Sequence, residues 1–138
     1  MFTLDPRLHN DTYWVGDLSL CRLLLMNDQQ YPWCILVPRV ADISEMHHLS
    51  PEQQRQFSLE SNALSETLQT LYQPETLNVA ALGNVVRQLH IHHIARFVDD
   101  PAWPAPIWGQ HPVVNYNDEA AQRLLVRLQN TSPIKDLL

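Results

Sequence analysis

Three of the seven histidines crowd into one short stretch, Gln88-Leu89-His90-Ile91-His92-His93-Ile94-Ala95-Arg96. Alternate side chains of a strand share a face, so Gln88, His90 and His92 are expected to point one way and Leu89, Ile91 and His93 the other. Two imidazoles and one amide then stand in a row at steps of about 6–7 Å. Imidazole can act as a nucleophile, a proton carrier and a hydrogen-bond donor near neutral pH. A pair of them on one strand can attack an electrophilic phosphorus and hold its oxygens. The same His-x-His spacing also serves metal binding, with a third ligand then drawn from His47, His48, His111 or a carboxylate. An accommodated polar strand face is a third possibility, and spacing alone leaves all three open. His93, on the opposite face, reads as a partly buried, hydrogen-bonded histidine.

Composition narrows the partners. The chain has 138 residues, 45% hydrophobic and 17% charged, which suits one globular domain and is too short for two. A formal net charge of −6 argues against duplex nucleic acid or an anionic membrane as partner, yet leaves a small anionic ligand open. Lys135 is the only lysine, so the cationic groups are nearly all arginines, whose planar fork suits phosphate and carboxylate. Cys21 and Cys34 form no metal-finger or disulfide pattern and read as reduced, buried residues. No apolar run approaches the roughly twenty residues that span a bilayer, and the N-terminus lacks a signal-peptide core, so a cytoplasmic location is expected.

The elements that must position the histidines follow from the pattern. Residues 12–15 and 20–26 read as a hairpin around the turn signal Gly16-Asp17. Pro32-Trp-Cys-Ile-Leu-Val-Pro38 reads as a buried strand. Ser50-Pro51-Glu52-Gln53 opens a long helix with a capping box, continued by Phe57, Ala63, Leu64, Leu68 and Leu71 and ended by Pro74. Residues 77–82 and 85–97 should pair antiparallel across Gly83-Asn84. The proline- and tryptophan-rich residues 101–109 read as a loop folded back over apolar surface, and Asn117-Asp118-Glu119 caps a last helix. The expected fold is α+β: a mainly antiparallel five-stranded sheet with one long and one C-terminal helix, in a single domain over 1–138.

With these elements in place, Leu82-Gly83-Asn84-Val85-Val86-Arg87-Gln88-Leu89-His90-Ile91-His92-His93-Ile94-Ala95-Arg96 resembles the signature strand of the histidine triad superfamily of nucleotide hydrolases and transferases. That family reads Ala-Gly-Gln-Ser/Thr-Val-x-His-φ-His-φ-His-φ-φ-Pro-Arg, with φ apolar. The likeness extends upstream through Leu24-Leu25-Met26-Asn27, the Pro32 strand and the Ser-Pro-Glu helix. It spans roughly residues 12–98, with the loop and last helix of 99–138 outside it.

The resemblance implies roles. His90 aligns with the nucleophile that attacks the α-phosphorus and carries a nucleotidyl intermediate. His92 aligns with the last triad histidine, a phosphate contact and proton donor to the leaving group. Asn84 stands at the amide that contacts phosphate, Gly83 lets backbone N–H groups approach it, and Asn27 stands at the ribose hydroxyls. Gln88 replaces the first triad histidine and can supply a hydrogen bond but no ionisable group. Trp33 stands where the family usually has histidine. Trp103 and Trp108 either flank a base or leaving group or else cover the sheet edge or fill a dimer interface, with burial the commoner use, while Arg39 and Arg96 read as solvated or ion-paired strand ends rather than phosphate ligands.

The implied function is hydrolysis or nucleotidyl transfer at the α-phosphate of a phosphoramidate or dinucleoside polyphosphate, without cofactor or metal. The implied partner is a small-molecule nucleotide rather than a nucleic-acid polymer, and family members commonly form homodimers. The alternatives are a non-catalytic nucleotide-binding module and, ranked lower, a His-x-His metal protein.

Overall fold

The apolar runs of the sequence become the centre of an antiparallel sheet in a computed structural model that describes residues 1–138. The strands are β1 (Thr12–Asp17), β2 (Cys21–Met26), β3 (Trp33–Pro38), β4 (Thr76–Ala81) and β5 (Ile91–Arg96), in the order β1-β2-β3-β5-β4. The strand that carries His92 is therefore flanked on both sides, by β3 with Ile35 opposite His92 and by β4 with Ala80 opposite it. Both faces of the sheet are covered, which explains why β3 and β5 are buried along their whole length.

Alternation sorts the side chains. Cys21, Leu23, Leu25, Cys34, Leu36 and Ile91 face the larger core, closed by α2 (Pro51–Tyr72), α3 (Asp118–Gln129) and the short α4 (Ile134–Leu137). Leu24, Trp33, Ile35, Val37 and Ile94 face the other way, under Leu8 of α1 (Pro6–Asp11) and Ala102 and Ile107 of the loop after β5. The proline-rich loop does fold back over apolar surface. Arg96 holds it there: only 2% exposed, it donates to both carboxylate oxygens of Asp100 at 2.7 and 3.0 Å, to Asn78 Oδ1 at 2.7 Å and to the Ala105 carbonyl at 2.8 Å. The ring of Trp103 lies 5.7 Å from the guanidinium carbon.

The capping box at α2 forms as expected, with Ser50 Oγ accepting from the Gln53 N–H at 3.1 Å and Gln53 Oε1 from the Ser50 N–H at 2.9 Å. The helix ends at Tyr72, one residue before Gln73 takes a left-handed conformation. From the middle of α2, fully buried Glu60 reaches across to the hairpin, accepting from the Leu20 and Cys21 N–H groups at 2.8 Å each and from Gln56 at 2.7 Å. Three donors offset the cost of burying this carboxylate.

Two expectations need correction. Gly16 and Asp17 are not the hairpin turn but lie within β1, where the register shifts by one residue between Trp14 and Gly16, and the turn falls at residues 18–20. The strand expected over 85–97 begins only at Ile91. Residues 82–90 are an irregular crossing in which the Leu89 N–H bonds to the Ile43 carbonyl at 3.1 Å, outside the sheet.

Candidate active site

A cleft of about 350 Å³ opens on the face opposite α2. His90 and His92 line it with Trp33 and Trp108, and Asn84 stands on its wall. The two imidazoles meet nearly edge to face, centroids 5.0 Å apart at 75°.

Each ring is oriented by a bond that fixes its protons. His90 Nδ1 lies 2.7 Å from the Gln88 carbonyl, and since a carbonyl only accepts, the ring donates from Nδ1. In the neutral imidazole Nε2 is then left with its lone pair. His92 is the reverse: Trp33 Nε1–H donates to its Nδ1 at 2.9 Å, so the neutral ring carries its proton on Nε2. In their neutral forms the two rings thus differ, His90 offering a lone pair at Nε2 and His92 an N–H donor at Nε2. Burial, with smaller contributions from the neighbouring His90 and His93, pushes His92 down to about 3, so it stays neutral at physiological pH. Tryptophan in place of the family's usual histidine supplies a donor that cannot titrate, and its ring packs against Trp108 at a centroid distance of 6.5 Å.

His93 points the other way, fully buried against α2. It donates from Nδ1 to the Ile91 carbonyl at 3.1 Å and accepts at Nε2 from the Ser61 hydroxyl at 2.7 Å. Burial pushes it down to about 4. Both histidines are neutral in the fold and titrate near 6.5 when unfolded, so below that value the unfolded chain binds more protons and acid favours it. Stability is therefore expected to be full above pH 6.5 and to fall by up to about 1.4 kcal/mol per pH unit for each ring on the way down to about pH 4. Urea midpoints at pH 7.5, 6 and 5 check this, and a midpoint that does not move would contradict it.

The residues picked from the sequence separate here. His90, His92 and Asn84 meet at the cleft. Gly83 sits beside Asn84 in the same crossing, and a Cβ there would touch no other atom within 4 Å, so the protein itself does not require a glycine. Gln88 does not join the histidine row, because the strand that would have aligned it starts three residues later. Its amide is taken up by the backbone of Thr3 and Asp5 at 2.9 Å each. Asn27 also lies off the cleft, its Oδ1 accepting from the Tyr116 N–H at 2.8 Å and tying down the segment before α3. Trp108 lines the cleft, while the Trp103 ring lies against Arg96 instead. Arg39 braces the hairpin turn through the Leu18 and Ser19 carbonyls. The cleft's histidines gather no third His, Cys, Asp or Glu into a metal-holding group.

Sequence reasoning missed α1, which brings Arg7, Leu8 and Asp11 to the cleft. The signal was present: Asp5 followed by Pro6 is a helix start, and the Asp5 carboxylate accepts from the Arg7 N–H at 2.8 Å.

This sheet order and a cleft built on an H-x-H pair at the start of β5 define a class. The profile of the HIT domain matches residues 7–99, and the chain belongs to that family. It is 47% identical to a histidine triad protein from Marinobacter aquaeolei, with a TM-score of 0.94 over 100% of this chain and 99% of that one. A histidine triad protein from Sinorhizobium meliloti shares 41% identity, with a TM-score of 0.91 over 100% and 98% of the two chains. Another from Bradyrhizobium japonicum shares 37%, with a TM-score of 0.90 over 99% and 97%. No curated protein matches the sequence significantly.

Proposed function

We propose that this protein hydrolyses a nucleotide conjugate at its α-phosphate through a nucleotidyl intermediate on His90. The observation that supports this most is the bond from His90 Nδ1 to the Gln88 carbonyl, which leaves Nε2 as the lone-pair nitrogen in the cleft. In the first step that lone pair forms an N–P bond while the bond from phosphorus to the leaving group breaks. The leaving group departs with the electron pair and takes a proton from water. In the second step a water oxygen attacks phosphorus, the N–P electrons return to Nε2 and the surplus proton passes to solvent, giving a nucleoside monophosphate.

His92 is assigned hydrogen-bond donation to a phosphoryl oxygen rather than proton transfer. A neutral ring whose Nδ1 is occupied by Trp33 offers a fixed Nε2–H where charge develops, but is a poor acid. Asn84 supplies a second donor from the wall. The apolar side chains Leu8, Met26, Ile35, Leu82 and Val86 form a lining suited to a flat base.

The intermediate gives the direct test. Brief incubation with an adenylyl conjugate, denaturation at alkaline pH and intact-mass analysis should show a gain of one nucleoside monophosphoryl group, mapped to the peptide containing His90. Protein that binds the nucleotide and returns it intact, with no adduct, would instead mark a binding module, the reading that the substitution of Gln88 for the first histidine favours.

A further inference from the structure

Gln88 departs from the family pattern, yet both halves of its amide are engaged. Nε2 donates to the Thr3 carbonyl and Oε1 accepts from the Asp5 N–H, so one planar group pairs with two backbone groups that lie two residues apart. Asp5 caps α1, and α1 presents Arg7 and Asp11 to the cleft that holds His90 and His92. The carbonyl of the same Gln88 orients the His90 ring. One residue therefore ties the N-terminal wall of the cleft to the ring that faces it.

Arg7 is the only lysine or arginine among the cleft's lining residues, and His92 is neutral. Its partner Asp11 stands 3.7 Å away, with the two side chains 64% and 48% exposed, a loose pair that leaves the guanidinium donors available. In a chain of net charge −6, the bulk field gives no help to a second anionic group, so its charge has to be met by a directed cation.

We propose that Arg7 is the specificity-determining residue of this cleft, selecting substrates with an anionic group beyond the α-phosphate, and that Gln88 is the positioning residue that holds it there. This rests on the hydrolase reading above. The test compares kcat/KM for a dinucleoside polyphosphate and for a nucleoside phosphoramidate with an uncharged amine leaving group. In Arg7→Ala the ratio in favour of the polyphosphate should fall about tenfold, mainly through KM, and Arg7→Lys should restore part of it. Gln88→Ala should lower the same ratio, and the double variant should lower it no further than either single one, because both act on one contact. An unchanged ratio in Arg7→Ala overturns the proposal while leaving hydrolysis intact. If the wild type hydrolyses neither compound, the catalytic reading fails separately, and calorimetry decides for Arg7: the affinity gap between nucleoside triphosphate and monophosphate must narrow in Arg7→Ala, and an equal gap, or no nucleotide binding at all, overturns it.

Discussion

His90→Ala is expected to lower turnover of any nucleotide conjugate by roughly 10⁴-fold or more, because it removes the only protein atom proposed to bond to phosphorus. What remains should be catalysis from positioning alone. The fold should survive, since the ring's one bond in the protein is to the Gln88 carbonyl, and losing such a bond costs about 1 kcal/mol. Nucleotide binding should persist as well, because His92, Asn84 and the apolar wall stay in place. Steady-state assays, a melting curve and calorimetry on the same preparation separate the three statements. A variant that keeps more than a tenth of wild-type turnover would remove His90 from the nucleophile's role.

The largest effect on stability is expected from Asp100→Ala. Asp100 receives two bonds from Arg96 and three more from the backbone N–H groups of Phe97, Ala102 and Trp103 at 3.0, 3.1 and 2.8 Å. Its removal leaves a buried guanidinium without a counter-charge, which costs about 3–5 kcal/mol, a large share of the roughly 5–15 kcal/mol that holds a domain folded. The loop that carries Trp108 should loosen first and raise KM for any cleft ligand. Burial raises the Asp100 carboxyl, but the Arg96 and backbone hydrogen bonds outweigh it and hold the group below the usual carboxylate range. Its contribution is therefore complete above about pH 4 and is lost as pH falls through the folded-state value, below most of the range in which the histidines act. Chemical denaturation of Asp100→Ala and Asp100→Asn at pH 7.5 measures the cost. A loss under 1 kcal/mol in the alanine variant would show that Arg96 finds other partners.

What the sequence made legible was whatever depends on local chemistry. Ser50 and Gln53 announce their capping box, and the alternation in β5 sorts His92 from His93 without knowledge of any partner strand. Strand length is different, because it depends on what lies alongside. Residues 85–90 have strand-forming side chains, but the Leu89 N–H finds the Ile43 carbonyl instead of a ladder, so the two-residue period stops and Gln88 leaves the histidine row. Asn27 lies off the cleft for a related reason: its side-chain oxygen accepts from the Tyr116 N–H, 89 residues away, and no local pattern reveals such a partner. Arg7 and Asp11 were missed although their helix start was readable, because their importance comes from the cleft and not from the helix.

The placement of β5 between β3 and β4 also bears on how the chain comes together. The meander of β1, β2 and β3 needs only neighbours close in sequence, so it can form early at little loop-closure cost. The histidine strand has no place in the sheet until β3 is joined by a segment some 60 residues later, with all of α2 in between. The first residues of the chain complete the wall only when Thr3 and Asp5 reach Gln88, 85 and 83 positions away. Trp33 is covered by Ile94 of β5 and by the loop after it, so during refolding the helix signal should return before tryptophan burial and before a reactive imidazole exists, and an unfinished chain carries histidines but no nucleophile.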